Sequence, residues 1–256
     1  MSGWIGTLGA LSEVLWKVSL SESTPARFAF QQAAGKRWAF LASPTPRRSW
    51  SVEVKGTQED TRALTQLAHA APTEPLMWVS EAAALTNILT PAQSLMVGIS
   101  NRGPMVTSDG SLAVSSLGGS PRTVAADRVP VMPGKPFTAT VEAAGDGAIL
   151  GVQMFTAAGT AVGATATAVA RGANVQRLVV SVPVPPATAA YATLTLAMGG
   201  QFSRLSATWT KDAPPWDVGM GATSVVIGDV ETTIEDVHHA SGAVWRSVSA
   251  KIEEVG

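Results

Sequence analysis

Acidic, imidazole and hydroxyl side chains occur together in residues 235–242, which read EDVHHASG. Such groups can serve proton transfer, nucleophilic attack or metal binding. Adjacent histidines on a strand point to opposite faces, however, and the order matches neither a nucleophile elbow nor a helical zinc motif. The flanking residues favour a solvated hairpin turn. We therefore expect no catalytic residue and no metal site in this stretch.

A glycosidase would need two carboxyl groups, and Asp109, Asp127, Glu142 and Asp146 are the acids from which a pair could be assembled. Asp109 and Asp146 adjoin glycines in predicted turns, where acids are common for backbone reasons. The sequence therefore predicts a protein that is not an enzyme and that needs no cofactor. Loop carboxylates could hold a structural calcium ion, although no EF-hand spacing is present.

Sugar binding usually needs an exposed aromatic side chain, and the middle of the chain offers Phe137, Phe155, Tyr191, Phe202 and Trp209. Most of these lie in predicted strands with apolar neighbours, which favours core packing. Tyr191 follows an irregular stretch of small residues, and its phenol requires a polar partner or water. It is the candidate ligand-binding residue.

The composition indicates a folded protein, because 46% of the 256 residues are hydrophobic and only 14% are charged. A formal net charge of -1 provides no field that would attract nucleic acid. The absence of cysteine is consistent with assembly in a reducing cytoplasm. Neither an export signal nor an apolar run long enough for a membrane span is expected.

Proline-marked joins divide the chain into three zones, at residues 89–91 and 212–215. We expect the first part of a base domain in residues 1–91, an inserted module in residues 92–212, and the last part of the base domain in residues 213–256. An autonomous insertion of this kind is tolerated where its two ends lie close together.

Most elements are predicted to be strands, with alternating apolar and polar residues. Residues 12–20, 26–32, 36–41 and 49–55 predict a β-meander, and one short amphipathic helix follows from Thr57 to about Ala70. Trp50, Val52 and Val54 share a strand face, so we expect them in the core beneath this helix.

The middle zone contains about eight short strand candidates at regular spacing, which favours a sandwich. Residues 224–236 and 243–253 predict a closing hairpin. The expected fold class is all-β with one short helix: a β-sandwich base domain that carries an inserted, jelly-roll-like β-sandwich.

Four segments of the base domain resemble a known family. Residues 48–54 (RSWSVEV), 75–79 (PLMWV), 86–91 (TNILTP) and 244–256 (VWRSVSAKIEEVG) are similar to distal-tail-like minor tail proteins of long-tailed phages that infect actinobacteria. The middle zone resembles the carbohydrate-binding-type jelly rolls inserted into such proteins, in residues 128–138 (RVPVMPGKPFT) and 202–209 (FSRLSATW).

These resemblances imply a structural protein of the siphophage virion tail, made in the host cytoplasm. They imply a homo-oligomeric ring, for which a hexamer is one option, between the tail tube and the hub proteins of the baseplate. The inserted module would face outward and could bind host-surface glycan. The alternatives are a free carbohydrate-binding module protein and a head decoration protein.

The N-terminal segment around Trp4, Ile5 and Leu8 is apolar and flanked by glycines, so it could contact neighbouring copies in a ring. The same pattern also fits a strand end that packs against its own domain. The sequence leaves these two interpretations evenly balanced.

Overall fold

The computed structural model describes residues 2–15, 21–23, 28–33, 36–41, 47–70, 75–97, 99, 105–106, 112–116, 123–197, 200–238 and 242–255. Strands dominate this part of the chain, as predicted. They are β1 Ser2–Thr7, β2 Ala10–Leu15, β3 Ser21–Ser23, β4 Phe28–Ala33, β5 Lys36–Leu41, β6 Ser49–Thr57, β7 Leu76–Ser80, β8 Met105–Val106, β9 Leu112–Ser116, β10 Thr123–Pro130, β11 Phe137–Ala144, β12 Ile149–Phe155, β13 Ala161–Val169, β14 Gln176–Val182, β15 Tyr191–Ala197, β16 Gly200–Thr208, β17 Ala222–His238 and β18 Ala243–Glu254. The described helices are α1 Gln58–His69, α2 Glu81–Thr86 and α3 Pro91–Ser94. None of them is long and apolar enough to cross a bilayer.

The chain forms two compact units. Unit 1 comprises Met1–Ser2, Ser12–Leu76 and Ser224–Gly256, and unit 2 comprises Gly3–Leu11 and Met77–Thr223. Unit 2 therefore extends beyond the predicted insertion, residues 92–212, on both sides. That residues 92–212 fold on their own stays a prediction.

Unit 1 contains an antiparallel sheet in the order β17-β18-β6-β3. Helix α1 packs against β6 and β18. Trp50 is 1% exposed, and Val52 and Val54 are equally buried, so their predicted place in the core is confirmed. Val248 and Ile252 lie opposite Val54 and Trp50 in the β6–β18 register and complete the same apolar face.

Two polar contacts fix the ends of this arrangement. The backbone N–H and the Oγ1 of Thr57 donate to Asp60 Oδ2 over 2.7 and 2.9 Å, which holds the start of α1 where the sequence predicts it. Arg48 Nε and Nη2 donate to the two carboxylate oxygens of Glu254 over 3.0 Å each. The Arg48 guanidinium also lies 5.1 Å from the centre of the Trp50 ring.

The predicted meander is only partly correct. Strands β4 and β5 do form a hairpin, but the strand after them, β6, pairs with β18 and with β3. The reason is that β18 carries an apolar stripe that matches the one on β6. Residues 16–20 of the first predicted strand lie outside the described part.

Unit 2 is a sandwich of a four-stranded sheet, β10-β15-β12-β13, and a five-stranded sheet, β14-β11-β16-β9-β8. The inward residues of both sheets form one core. Fully buried large side chains in these strands include Phe137, Leu150, Leu194, Leu196, Phe202 and Leu205. The predicted strands of the middle zone and its sandwich architecture are confirmed.

Short elements flank the sandwich within unit 2. Strand β1 pairs antiparallel with β7, from Gly3 opposite Ser80 to Gly6 opposite Met77. Thr90 caps α3, accepting from the Gln93 N–H over 3.2 Å. Two of these elements, α2 and α3, were not predicted. Pro91, whose position in the sequence indicates a domain boundary, occupies the first turn of α3. Its missing N–H removes no helical hydrogen bond there, because the first N–H groups of a helix have no partner within the helix.

Candidate functional site

Charged side chains lie on the outward face of the five-stranded sheet of unit 2. In β11, Glu142 alternates with the core residues Val141 and Ala143, so its side chain points outward. Arg177 precedes the core residue Leu178 in β14 and stands directly opposite Glu142 in the register. The sheet therefore places an acidic and a basic residue next to each other on neighbouring strands.

A second arginine reaches Glu142 from the other neighbouring strand. The β11–β16 register shifts between Thr140 and Glu142, and Arg204 has a φ of 56°, which a non-glycine residue rarely adopts. This bulge brings Arg204 Nη1 within 3.0 and 3.2 Å of the two Glu142 oxygens. Glu142, Arg177 and Arg204 are called the Arg–Glu–Arg cluster below.

Hydroxyl groups continue the same face beside the cluster. Thr140 Oγ1 and Ser206 Oγ are 2.7 Å apart, and both side chains are buried. Thr138 Oγ1 donates to the carbonyl oxygen of Thr210 over 2.7 Å. The polar face is therefore partly covered by the chain that follows β16.

That covering chain, residues 210–221, contains no helix or strand and is called the crossing segment. Arg177 Nη2 donates to the Pro214 carbonyl oxygen and, over 3.4 Å, to Thr140 Oγ1. The indole Nε1 of Trp216 donates to the Leu205 carbonyl oxygen over 3.1 Å. A half-buried aromatic ring is thus anchored to the strand that carries Arg204.

Tyr191 lies on the other sheet of the sandwich, at the start of β15. Its ring stacks on Phe155 with centroids 5.2 Å apart and planes 13° apart. The residue is 9% exposed, so most of the ring is covered by packing within unit 2. A role of Tyr191 in ligand binding stays a prediction. The structure does not bring it together with the Arg–Glu–Arg cluster, which lies on the opposite sheet.

Of the acids considered for glycosidase chemistry, the three that the structure describes are engaged in different structural contacts. Asp127 accepts from the Thr193 hydroxyl over 2.6 Å, and Asp146 accepts from a backbone N–H over 2.8 Å. Glu142 belongs to the cluster, and Asp109 lies outside the described residues. Within the described part of the chain, no group of three or more metal-ligating residues is present. The expectation that the chain needs no cofactor, with a structural calcium ion as the alternative, stays a prediction.

The EDVHHASG stretch lies at a hairpin, as predicted: β17 and β18 pair up to His238 opposite Ala243. Residues 239–241 fall outside the described part. Glu235 Oε1 accepts a hydrogen bond from Lys55 Nζ over 2.9 Å, which raises the pKa of that lysine. Asp236 accepts from the backbone N–H of Val237 over 2.8 Å.

The structure places Trp4 and Ile5 inside unit 2, where both are buried, and leaves Leu8 half-buried. Trp4 meets Trp209 edge to face at 5.2 Å, and Lys135 Nζ lies 4.8 Å from the Trp4 ring centre. This position matches the alternative of a strand packed against its own unit. An oligomer contact through these residues stays a prediction.

Sequence reasoning did not single out Arg177, Arg204 and Trp216. The alternation of apolar and polar residues in 176–182 and 202–208 indicates that the charged residues point outward. It does not show that β11, β14 and β16 are neighbours, because these three strands lie far apart in the chain and only their pairing brings the charged residues together.

No family model matches the chain, and no curated protein matches it. A solved structure similar to the chain is the crystal structure of the enzymatically active domain of tailspike protein 4 of bacteriophage CBA120. It has a TM-score of 0.27 and 10% sequence identity, and the match covers 74% of this chain and 19% of that chain. The likeness is to a phage tail protein, and at this TM-score it supports no inference about shared fold or activity.

Proposed function

We propose that the chain is a structural minor tail protein of a long-tailed phage, of the distal-tail type. In this role unit 1 assembles with further copies into a ring between the tail tube and the hub, and the sandwich of unit 2 faces outward to bind host-surface glycan. The observation that carries the proposal is the composition of unit 1, which joins residues from both sides of the sandwich-forming segment. The family resemblance of residues 48–54 and 244–256, which lie in unit 1, supports it.

The β17–β18 hairpin supports self-assembly through unit 1. All residues from Glu231 to Val237 are exposed, and Ile234 is 61% exposed. Strand β6 pairs with β18 as far as Trp245 opposite Thr57, so within unit 1 only the last two pairs of the hairpin, up to His238 opposite Ala243, have two strands. Ile234 stands opposite Arg246, where β6 still pairs with β18. Its exposed side chain is an apolar group that contact with another copy would bury.

The first experiment measures the mass of the purified chain by sedimentation velocity and images it by electron microscopy. A ring supports the proposal, whereas a monomer at tens of micromolar contradicts it. Ile234→Asp should lower the oligomeric mass, because it puts a charge into the contact. Val184→Asp is the matched control, since Val184 is 81% exposed and belongs to unit 2.

The second candidate function is a free carbohydrate-binding protein. The Arg–Glu–Arg cluster with Trp216 favours it, because a polar face beside an aromatic ring suits a saccharide. A glycan array separates the two functions when combined with the mass measurement. A monomer that binds glycan supports this second function, and a ring supports the first.

A further inference from the structure

We propose that the Arg–Glu–Arg cluster, together with Trp216, binds the charged group of an anionic saccharide that carries a carboxylate or a phosphate. The inference rests on the proposed glycan-binding role of unit 2, and it names the site and the ligand class.

Arg177 provides the donors. Its side chain is exposed, and its described hydrogen bonds both leave from Nη2, to Thr140 and to Pro214. A guanidinium has five N–H donors in a fixed planar fork. The Nε and Nη1 groups bond to no described residue, so one edge of the fork is available to an oxyanion.

Glu142 does not form an ion pair with Arg177, although the two residues lie opposite each other in the β11–β14 register. Both carboxylate oxygens of Glu142 instead accept hydrogen bonds from Arg204 Nη1, over 3.0 and 3.2 Å. The bulge at Arg204 therefore provides the compensating charge of Glu142 from β16. The cluster thus contains two positive charges and one negative charge, and an incoming oxyanion would balance the charge of Arg177, which Glu142 does not pair.

Two further contacts give the site a fixed shape. The hydrogen bond from Arg177 to Pro214 ties the guanidinium to the crossing segment, and the bond from Trp216 to Leu205 ties the indole to β16. An indole offers an apolar surface for packing, while arginine binds carboxylate and phosphate through two parallel hydrogen bonds. A saccharide with a charged substituent can pack its ring on the indole and place its charged group on the arginine.

The test is isothermal titration calorimetry of the full chain at low salt with three probes: trigalacturonate, glucose 1-phosphate and the neutral trimer galactotriose. We expect binding of at least one anionic probe and weaker or no binding of galactotriose. Binding of trigalacturonate alone identifies a carboxylate as the charged group, and binding of glucose 1-phosphate alone identifies a phosphate. Affinity should fall as salt rises, because the recognised group is charged.

Variants assign the binding to this site. Arg177→Gln should weaken anion binding at least tenfold, and Arg177→Lys should give an intermediate loss, because it keeps the charge without the fork. Arg171→Gln is the matched control: Arg171 is exposed in unit 2, and its described hydrogen bonds use only its backbone. Unfolding midpoints equal to the parent's show that the variants are folded.

Three results would overturn the inference: no binding of either anionic probe, equal binding of the neutral trimer, or unchanged binding by Arg177→Gln. If the chain nevertheless binds neutral glycans on an array, the proposed glycan-binding role is retained and only the anionic site is rejected. An array without any binding, from a chain that forms a ring, would remove that role and keep the structural one.

Discussion

Asn87 should be among the most sensitive polar positions of unit 2, because it is fully buried and its side chain bonds to three other segments. Its Nδ2 lies 2.9 Å from the Asp217 carbonyl oxygen, 3.3 Å from that of Leu205 and 3.2 Å from Ser94 Oγ. One side chain therefore connects the crossing segment, β16 and α3.

The side-chain oxygen of Asn87 accepts from the backbone N–H groups of Leu89 and Ala207, each over 3.2 Å. Asn87→Ala removes this acceptor and leaves two buried donors without it. A buried donor left unsatisfied costs about 1–3 kcal/mol. Allowing for partial relaxation, we expect a loss of about 2–5 kcal/mol in the free energy of unfolding.

Urea denaturation of the full chain, followed by far-UV circular dichroism, measures this loss as a lower midpoint for the transition of unit 2. Asn174→Ala is the control, since Asn174 is exposed in the same unit. A midpoint for Asn87→Ala that equals the parent's would refute the reasoning, because it would mean that the network contributes no net stability.

Asn87→Asp adds a second readout. It keeps the acceptor but turns an oxygen toward the carbonyl oxygens of Leu205 and Asp217, so the folded state raises the pKa of the new carboxyl above the ordinary value of about 4. The penalty relative to the parent is then present at neutral pH and shrinks as the pH falls toward about 4. A penalty independent of pH would contradict this interpretation.

Three further predictions concern unit 1. Trp50→Ala should lower the free energy of unfolding by about 3–5 kcal/mol, because the side chain is fully buried; an unchanged melting temperature would contradict the core assignment. Glu254→Gln should cost about 1–3 kcal/mol in urea denaturation, since it weakens the paired hydrogen bonds from Arg48, and a loss of zero would show that they are replaced by water. The hydrogen bond and the charge of Glu235 raise the pKa of Lys55 above 10.5. The small contribution of this ion pair to the free energy of unfolding is therefore fully present below pH 10.5 and disappears as the pH rises through the raised pKa. Melting temperatures of Lys55→Gln and the parent should converge there, and a gap that persists at higher pH would point to packing instead.

The local alternation of apolar and polar residues predicts many of the strands and the first helix of this fold. The alternation around Trp50 predicts both the strand and its buried face, and the residues after Thr57 predict α1 within a residue at each end. The glycine turns at residues 145–147 and 159 separate strands as expected, because these glycines adopt the positive φ that other residues rarely reach.

Pairing over long distances could not be predicted in the same way. The partner of β6 is β18, and the Arg48–Glu254 contact joins residues 206 positions apart. Many strands of this composition carry a compatible apolar stripe, so a single sequence does not select the right pair. The Arg–Glu–Arg cluster depends in addition on the bulge at Arg204, and no residue type in β16 predicts a bulge at this position.

The pairing of β6 with β18 also constrains the order in which the chain folds during synthesis. Ribosomes release the N-terminal part first, so β6 and the helix α1 that packs against it emerge long before Val248 and Ile252 exist to extend the apolar face beside Val54 and Trp50. Throughout that interval β6 lacks its pairing partner β18, and its backbone edge is open to chaperones and to neighbouring nascent chains. Translation rate and chaperone supply should therefore govern the yield of folded unit 1, while the sandwich strands of unit 2 are complete before β18 has been made.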